Sequence, residues 1–240
     1  MPARIFAFFL MLLSSQLLLS GQLLAAELQP FSATYSASFN GIGVTAKREL
    51  SGKSNNWRLD FSADSLFAKI SEYSRFGSRD GQLIPHHYEY HKTGLGRDKH
   101  TVLNFEPNQN RVVNVSNAKR TLENAPQNVQ DKISYQLQLA LDIANNKQDL
   151  VYQVADGRKI RKYKFAVAGT EKLQTPLGPV EAIRVERVRD GDSERETIIW
   201  FAPKWNYALV KLMQQEEDGK TYQISLTKLS INGNNVSANQ

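Results

Sequence analysis

The sequence predicts a mainly β protein, a single domain in which a strongly curved antiparallel sheet or open β-barrel wraps one main α-helix at about 128–145. Three observations carry this. Short runs of alternating apolar and polar residues recur along the chain, each closed by Gly, Pro, Asn or Asp, as antiparallel hairpins require. One stretch alone, NVQDKISYQLQLALDIANN at 128–146, carries helical spacing over a length unusual for a strand. No repeat or low-complexity linker separates the strands before this stretch from those after it, so both sets are expected to bury the same helix.

The chain opens on Met1, Pro2, Ala3 and Arg4, followed by IFAFFLMLLSSQLLLSGQLLAA. One positive charge, an apolar stretch and the small pair Ala25-Ala26 describe a cleavable signal peptide at 1–26, cut before Glu27. Gln16, Ser20, Gly21 and Gln22 interrupt the apolar run, leaving less than the roughly 20 continuous apolar residues a spanning helix needs. The mature domain is expected at 27–240, with its core at about 31–231 and no transmembrane segment. There is no cysteine, so neither disulfides nor a lipid-modified cysteine enter, and the fold must rest on its apolar core. The expected location is the periplasm.

Phe31, Ala33, Tyr35, Ala37 and Phe39 alternate with Ser and Thr, and Asn40-Gly41 with Gly43 supplies a tight turn. Further strands follow at 44–50, 57–61, 66–76, 83–91, 101–105 and 111–115, about seven in the first half. Then comes the helix. Its residues Asp131, Ser134, Gln138, Asp142 and Asn145 fall on one stripe, opposite Val129, Ile133, Leu137, Ala140, Leu141 and Ala144. The stretch also alternates at the strand period, through Ile133, Tyr135, Leu137, Leu139, Leu141 and Ile143. Its length, its scarcity of β-branched residues and Asn128 as an N-cap with Asp131 in the first turn favour the helix. After it, β pattern resumes at 151–154, turns at Asp156-Gly157, and continues through 159–167, 169–173, 180–188, 197–201, 207–214 and 221–231. Thr175-Pro176-Leu177-Gly178-Pro179, Asp190-Gly191-Asp192 and Asp218-Gly219 are the expected turns.

Four blocks in this order resemble the DUF3108 family, a group of secreted bacterial proteins of unknown function. They are Asp131-Lys132-Ile133-Ser134-Tyr135; Val154-Ala155-Asp156-Gly157 with Tyr163-Lys164-Phe165; Leu173-Gln174-Thr175-Pro176-Leu177-Gly178; and Thr197-Ile198-Ile199-Trp200-Phe201-Ala202-Pro203. The resemblance spans roughly 31–231. Where the family tends to carry a leucine-proline-valine step, this chain reads Ala208-Leu209-Val210. The resemblance implies an exported, mostly β protein and brings no catalytic residues.

Function must therefore be read from individual side chains. The formal charge is +6, or +5 without the segment holding Arg4, which with no clustered aromatic motif argues against nucleic acid. His86, His87, His91 and His100 lie close together, but neighbouring strand positions point to opposite faces and no cysteine assists, so surface or partly buried histidines on a hairpin are expected rather than a metal site. Asp60, Asp64, Glu72, Glu194 and Glu196 read as ordinary surface acids, Ser74 and Ser134 sit in no nucleophile motif, and no phosphate-cradling glycine loop or cofactor motif occurs. No enzyme is expected. The basic run at 158–164 places Lys159 and Arg161 on one side with Tyr163, and Arg158, Lys162 and Lys164 on the other with Ile160; it reads first as a solvated hairpin whose charges resist edge-to-edge association, and Lys159, Arg161 and Lys162 are the candidates should it contact an anionic surface. Trp200 is expected in the core and Trp205 in an exposed turn, part of an aromatic rim.

A helix apolar around most of its circumference calls either for a sheet curled around it or for a ligand over the surplus. The expected function is non-enzymatic binding of a lipid or other apolar envelope ligand in a groove beside the helix, with Tyr135, Leu139 and Ile143 as groove candidates. The alternative is an envelope structural or assembly factor docking a protein partner through an exposed strand edge.

Overall fold

Alternation at period two builds a meander before the helix and a second meander after it, and the two join edge to edge. The computed structural model describes residues 27–39, 42–65, 68–94, 96–188, 196–215 and 219–237. The expected signal segment 1–26, the turns at Asn40-Gly41 and Asp190-Gly191-Asp192, Asp218 and Glu194 lie outside the described residues.

The first meander is β1 (Phe31–Phe39), β2 (Ile42–Lys53), β3 (Asn56–Asp64), β4 (Ala68–Arg79), β5 (Gln82–Gly94), β6 (Lys99–Glu106) and β7 (Arg111–Asn114). After the helix α1 (Ser134–Ala144) come β8 (Leu150–Ala155), β9 (Ile160–Thr175), β10 (Gly178–Arg187), β11 (Glu196–Ala202), β12 (Ala208–Gln215), β13 (Thr221–Ile231) and the short β14 (Asn234–Asn235). The sheet runs β7-β6-β5-β4-β3-β2-β1-β13-β12-β11-β10-β9-β8, with β14 on β13. Every named strand pair is antiparallel, and β1 against β13 joins the halves from Phe31↔Ile231 to Phe39↔Tyr222.

The runs expected as separate strands at 159–167 and 169–173 are one strand, β9. It continues because Ala168 is accommodated as a bulge: Val167 pairs with Val185 and Gly169, at φ +136°, pairs with Arg184.

The sheet ends, β7 and β8, are drawn together by the segment leading into the helix. Val112 and Leu122 exchange backbone hydrogen bonds of 2.9 Å on the β7 edge. Gln130 then pairs in parallel with Val154 on the β8 edge, donating to Gln153 O at 2.7 Å and accepting from Ala155 N at 2.9 Å. Asn114 Nδ2 reaches across to Gly157 O at 2.8 Å. The result is a nearly closed antiparallel barrel with α1 inside it.

Ser134, not a residue near 128, begins the helix. Asn128 is not its cap, because 128–133 is committed to the seam. Instead Asp131 Oδ1 accepts from Ile133 N (3.0 Å) and Ser134 N (2.8 Å), while Ser134 Oγ accepts from Asp131 N (2.9 Å), a reciprocal cap. Both meanders bury the helix. Tyr135, Leu139, Ala140 and Ile143 enter a core with β8–β13 and β1, whereas Ile133 and Leu141 enter a second core built on β2–β7.

The polar stripe of the helix is buried as well from Asp131 to Asp142, and only Asn145 at its end is exposed. Gln138 behaves like one more backbone unit beside the β4–β5 turn: its Oε1 accepts from Leu83 N (2.6 Å) and Gln82 Nε2 (3.0 Å), and its Nε2 donates to Gly81 O (3.0 Å) and Asp142 Oδ1 (2.9 Å). Asp142 Oδ2 accepts from Tyr152 OH (2.8 Å) and Lys147 Nζ (3.1 Å). A buried polar side chain is tolerated when its capacity is met, and here it is met by partners far along the chain.

Candidate functional site

Inward-pointing positions of β1 and β2 alternate, so Ala33, Tyr35, Arg48 and Leu50 look toward the helix. The helix answers with Leu137, Ala140, Leu141 and Ala144, one apolar stripe at helical spacing. Between them runs a groove closed by Phe201 and Trp205 on one side and Leu229 and Ile231 on another, with Glu27, Leu28 and Gln29 at its rim. Its free void is narrow, about 50 Å³.

Trp205 is buried, contrary to the exposed turn expected of it. The turn at Pro203–Trp205 is followed by Asn206 and Tyr207, both left-handed at φ +49° and +54°. Two such residues in succession reverse the chain and swing the indole inward. Left-handed backbone is uncommon for a tyrosine, and strain of this sort is held in place by the packing around it.

One charge sits in this apolar setting. Arg48 is 6 % exposed; its Nη1 donates to Gln136 Oε1 at 3.0 Å and its Nε has no hydrogen-bond partner. Burial pulls the guanidinium pKa below its ordinary value, against the pull of Tyr35, Tyr135 and Glu72, which favour its charge. Tyr35 donates to Leu209 O at 3.1 Å, and burial pushes its phenol up to about 12 although Arg48 opposes the shift. Sequence reading did not single out Arg48. It occupies an inward position between Ala46 and Leu50, and that alternation was the available signal.

Tyr135, Leu139 and Ile143 are packed in the core and do not line the groove. Tyr135 instead meets Tyr163 edge-on at 5.3 Å and stacks on Phe165 at 6.0 Å. Leu137, Ala140, Leu141 and Ala144, from the apolar side of the same helix, take the groove positions.

Of the three basic candidates, Arg161 lines a second, polar cavity together with Arg158, while Lys159 and Lys162 do not. Arg161 Nε donates to Asp156 Oδ2 at 2.6 Å.

The histidines string along β5 and β6. His87 meets Tyr73 OH (3.0 Å) and Asn104 Oδ1 (2.8 Å), His100 meets Glu89 (2.9 Å), and His91 lies beside His100 at 5.0 Å between ring centroids. Among the described residues no three His, Asp or Glu side chains gather around one point. Asp60 is paired with Arg58 at 2.6 Å and Asp64 with Lys69 at 3.8 Å.

Glu72 departs from the surface reading. It is buried, accepts a short hydrogen bond from Tyr88 OH and sits near Asp131, whose Oδ2 accepts from Ser74 Oγ at 2.6 Å. Burial raises the Glu72 pKa first, and Asp131 raises it further, while Lys132, Tyr88 and Arg48 oppose. Burial likewise raises Asp131, against the hydrogen bonds from Ser74, Ser134 and Ile133. Both acids are engaged by cap and tyrosine contacts rather than aimed into a cleft.

Among the described residues no helix is long and apolar enough to cross a membrane. The model of the DUF3108 family, described as protein of unknown function, matches residues 34–227. No curated protein matches the chain. Among solved structures, a β-barrel-like protein of the domain of unknown function DUF1849 from Brucella abortus is similar, with a TM-score of 0.54 at 12 % identity, covering 86 % of this chain and 99 % of that one. That likeness is of fold. A candidate lipoprotein from Parabacteroides distasonis gives a TM-score of 0.35 at 10 % identity, with 85 % and 96 % covered. A candidate outer membrane lipoprotein-sorting protein domain from Vibrio parahaemolyticus gives 0.24 at 12 % identity, with 85 % of each chain covered.

Proposed function

The chain belongs to the DUF3108 family, for which no function is known, and from its own geometry we propose a non-enzymatic, exported envelope protein that seats the apolar part of a ligand beside α1. The single observation behind this reading is the groove itself, apolar on the helix wall and on the strand wall apart from the Arg48–Gln136 pair. A void of about 50 Å³ is close to the space of one or two waters, so an acyl-like chain enters by displacing the 27–29 segment at the rim. The signal-like 1–26 segment supports export to a periplasm-like space, with 27–240 as one domain.

Titration of delipidated protein with a fluorescent fatty-acid probe tests the reading. Saturable binding is expected, and Ala144→Trp, which fills the groove at the C-terminal end of the helix, should weaken it at least tenfold while leaving the melting temperature nearly unchanged. Absence of saturable binding in the parent protein would remove the groove from consideration.

A second reading, docking of a protein partner on a strand edge, has its own support. β8 pairs with β9 only as far as Leu150↔Phe165, so beyond that point β9 has β10 on one side and no described strand on the other. Val167, on this stretch, is 54 % exposed. Such an edge is a template for strand addition. Amide exchange over 166–175 should slow when periplasmic extract is added; unchanged exchange would discard this reading.

A further inference from the structure

The seam that closes the barrel carries a second cavity, of about 600 Å³, within the size range of small-molecule sites. Its chemistry is the reverse of the groove's. Arg97, Lys99, Arg120, Lys132, Arg158 and Arg161 line it, against Asp98 and Asp156.

These cations come from separate places in the chain. Arg97 and Lys99 lie where the chain enters β6, Arg120 ends the short helical turn Ala118–Arg120, Lys132 precedes α1, Arg158 is in the β8–β9 turn, and Arg161 is on β9. The fold assembles them because the 115–133 connection crosses from the β7 edge to the β8 edge at this point.

Asp156 is already occupied. Its Oδ1 accepts from Arg158 N (2.8 Å) and Lys159 N (3.0 Å), and its Oδ2 accepts from Arg161. Its pKa is lowered by the hydrogen bond from Arg161 and the two backbone donors, which outweigh burial. Arg161 is thereby used to hold the turn. The other five cations form no ion pair among the described residues; Lys132 rests over the Tyr90 ring at 5.2 Å. Against these five cations the lining leaves one further carboxylate, Asp98, so the cavity keeps an excess of positive charge that an anion would relieve.

We propose that this cavity is a binding site for a phosphate-bearing anion of at least two negative charges. Three of the five unpaired cations are arginines, whose planar forks match phosphate oxygens bidentately. Thr101, Ser116 and Asn117 add neutral hydrogen-bonding groups to the lining. The site is independent of the apolar groove: it shares no lining residue with it.

Inorganic pyrophosphate is the probe, measured by calorimetry on the mature chain at low and at raised salt. The expected result is one site per chain, weakened by salt, and weakened at least tenfold in the triple variant Lys99→Gln, Arg120→Gln, Arg158→Gln. Lys159→Gln with Lys162→Gln removes two charges of the neighbouring basic run outside the cavity and should leave affinity within twofold. Melting curves of both variants establish that they fold. No binding by the parent protein, or equal losses in the two variants, would overturn the proposal, the latter by reducing the effect to general surface charge. Vesicles containing cardiolipin, a lipid whose headgroup carries a pair of phosphates, competed by pyrophosphate, identify the source: competed binding means a lipid headgroup, and pyrophosphate binding without vesicle binding means a soluble phosphate compound.

Discussion

Gln138 illustrates how much of this barrel's interior is decided by single polar side chains. It satisfies Leu83 N, Gly81 O, Gln82 and Asp142 at once, so a change to leucine leaves a backbone donor and acceptor without partners. Gln138→Leu should cost about 2–4 kcal/mol in chemical denaturation, more than its apolar gain returns. Glu72 makes the opposite case, a charge the fold disfavours. Burial holds its carboxyl above the ordinary 4.5, so the folded chain retains a proton that the unfolded chain releases. The stabilisation from that proton is complete below 4.5 and is lost as pH rises through the raised folded-state value. Glu72→Gln removes this dependence, and its melting temperature should gain on the parent's as pH is raised from 4.5 to about 8; a constant difference across that interval would show that Glu72 ionises as freely in the barrel as in the unfolded chain.

At the scale of elements, the seam is the part most open to a single substitution. Gly157 has φ +85°, and a Cβ built there would come within 2.7 Å of Thr101 Cγ2. Gly157→Ala should therefore destabilise by about 1–3 kcal/mol, and adding Thr101→Ala should recover the part due to contact but not the part due to backbone strain. A thermodynamic cycle on the two sites separates the shares. The elements themselves were legible to differing degrees. The strands could be read because each carries its own alternation and its own turn residues, and the wide apolar face of the helix correctly implied burial by both meanders. The helix start could not, since 128–133 is claimed by pairing with β8, a contact formed 24 positions downstream by Gln130 with Val154. The buried polar stripe was illegible for the same reason: Gln138 finds Leu83 55 positions away. Trp205 was misplaced because its position depends on two successive left-handed residues that are not glycines. Of the seam cavity the basic run at 158–164 pointed only to Arg158 and Arg161; Arg97 with Lys99, Arg120 and Lys132 are brought to them by topology.

For the molecule as a whole, order of pairing matters more than any one contact. Antiparallel neighbours within each meander are local, yet the barrel exists only once β1 meets β13, and the seam only once the connection has crossed between β7 and β8. Loop-closure entropy is lost before such contacts contribute, so refolding of residues 27–240 should fall in the range of about milliseconds to seconds, slower than a helical protein of equal stability. Stopped-flow tryptophan fluorescence can follow it, because Trp200 and Trp205 become buried with the second meander and Trp57 with the first. The β1–β13 pairing has one more effect, on a chain that emerges end first. Thr227 Oγ1 donates to Thr34 O across 193 residues. Until those residues have arrived, β1 presents an open row of amides and carbonyls on the side β13 will occupy, and the first seven strands form a sheet with an unprotected margin. A chain delivered from its amino end thus spends most of its delivery as a partner for any extended strand nearby. It needs either a fast second half or a holdase that covers β1 until β13 is available.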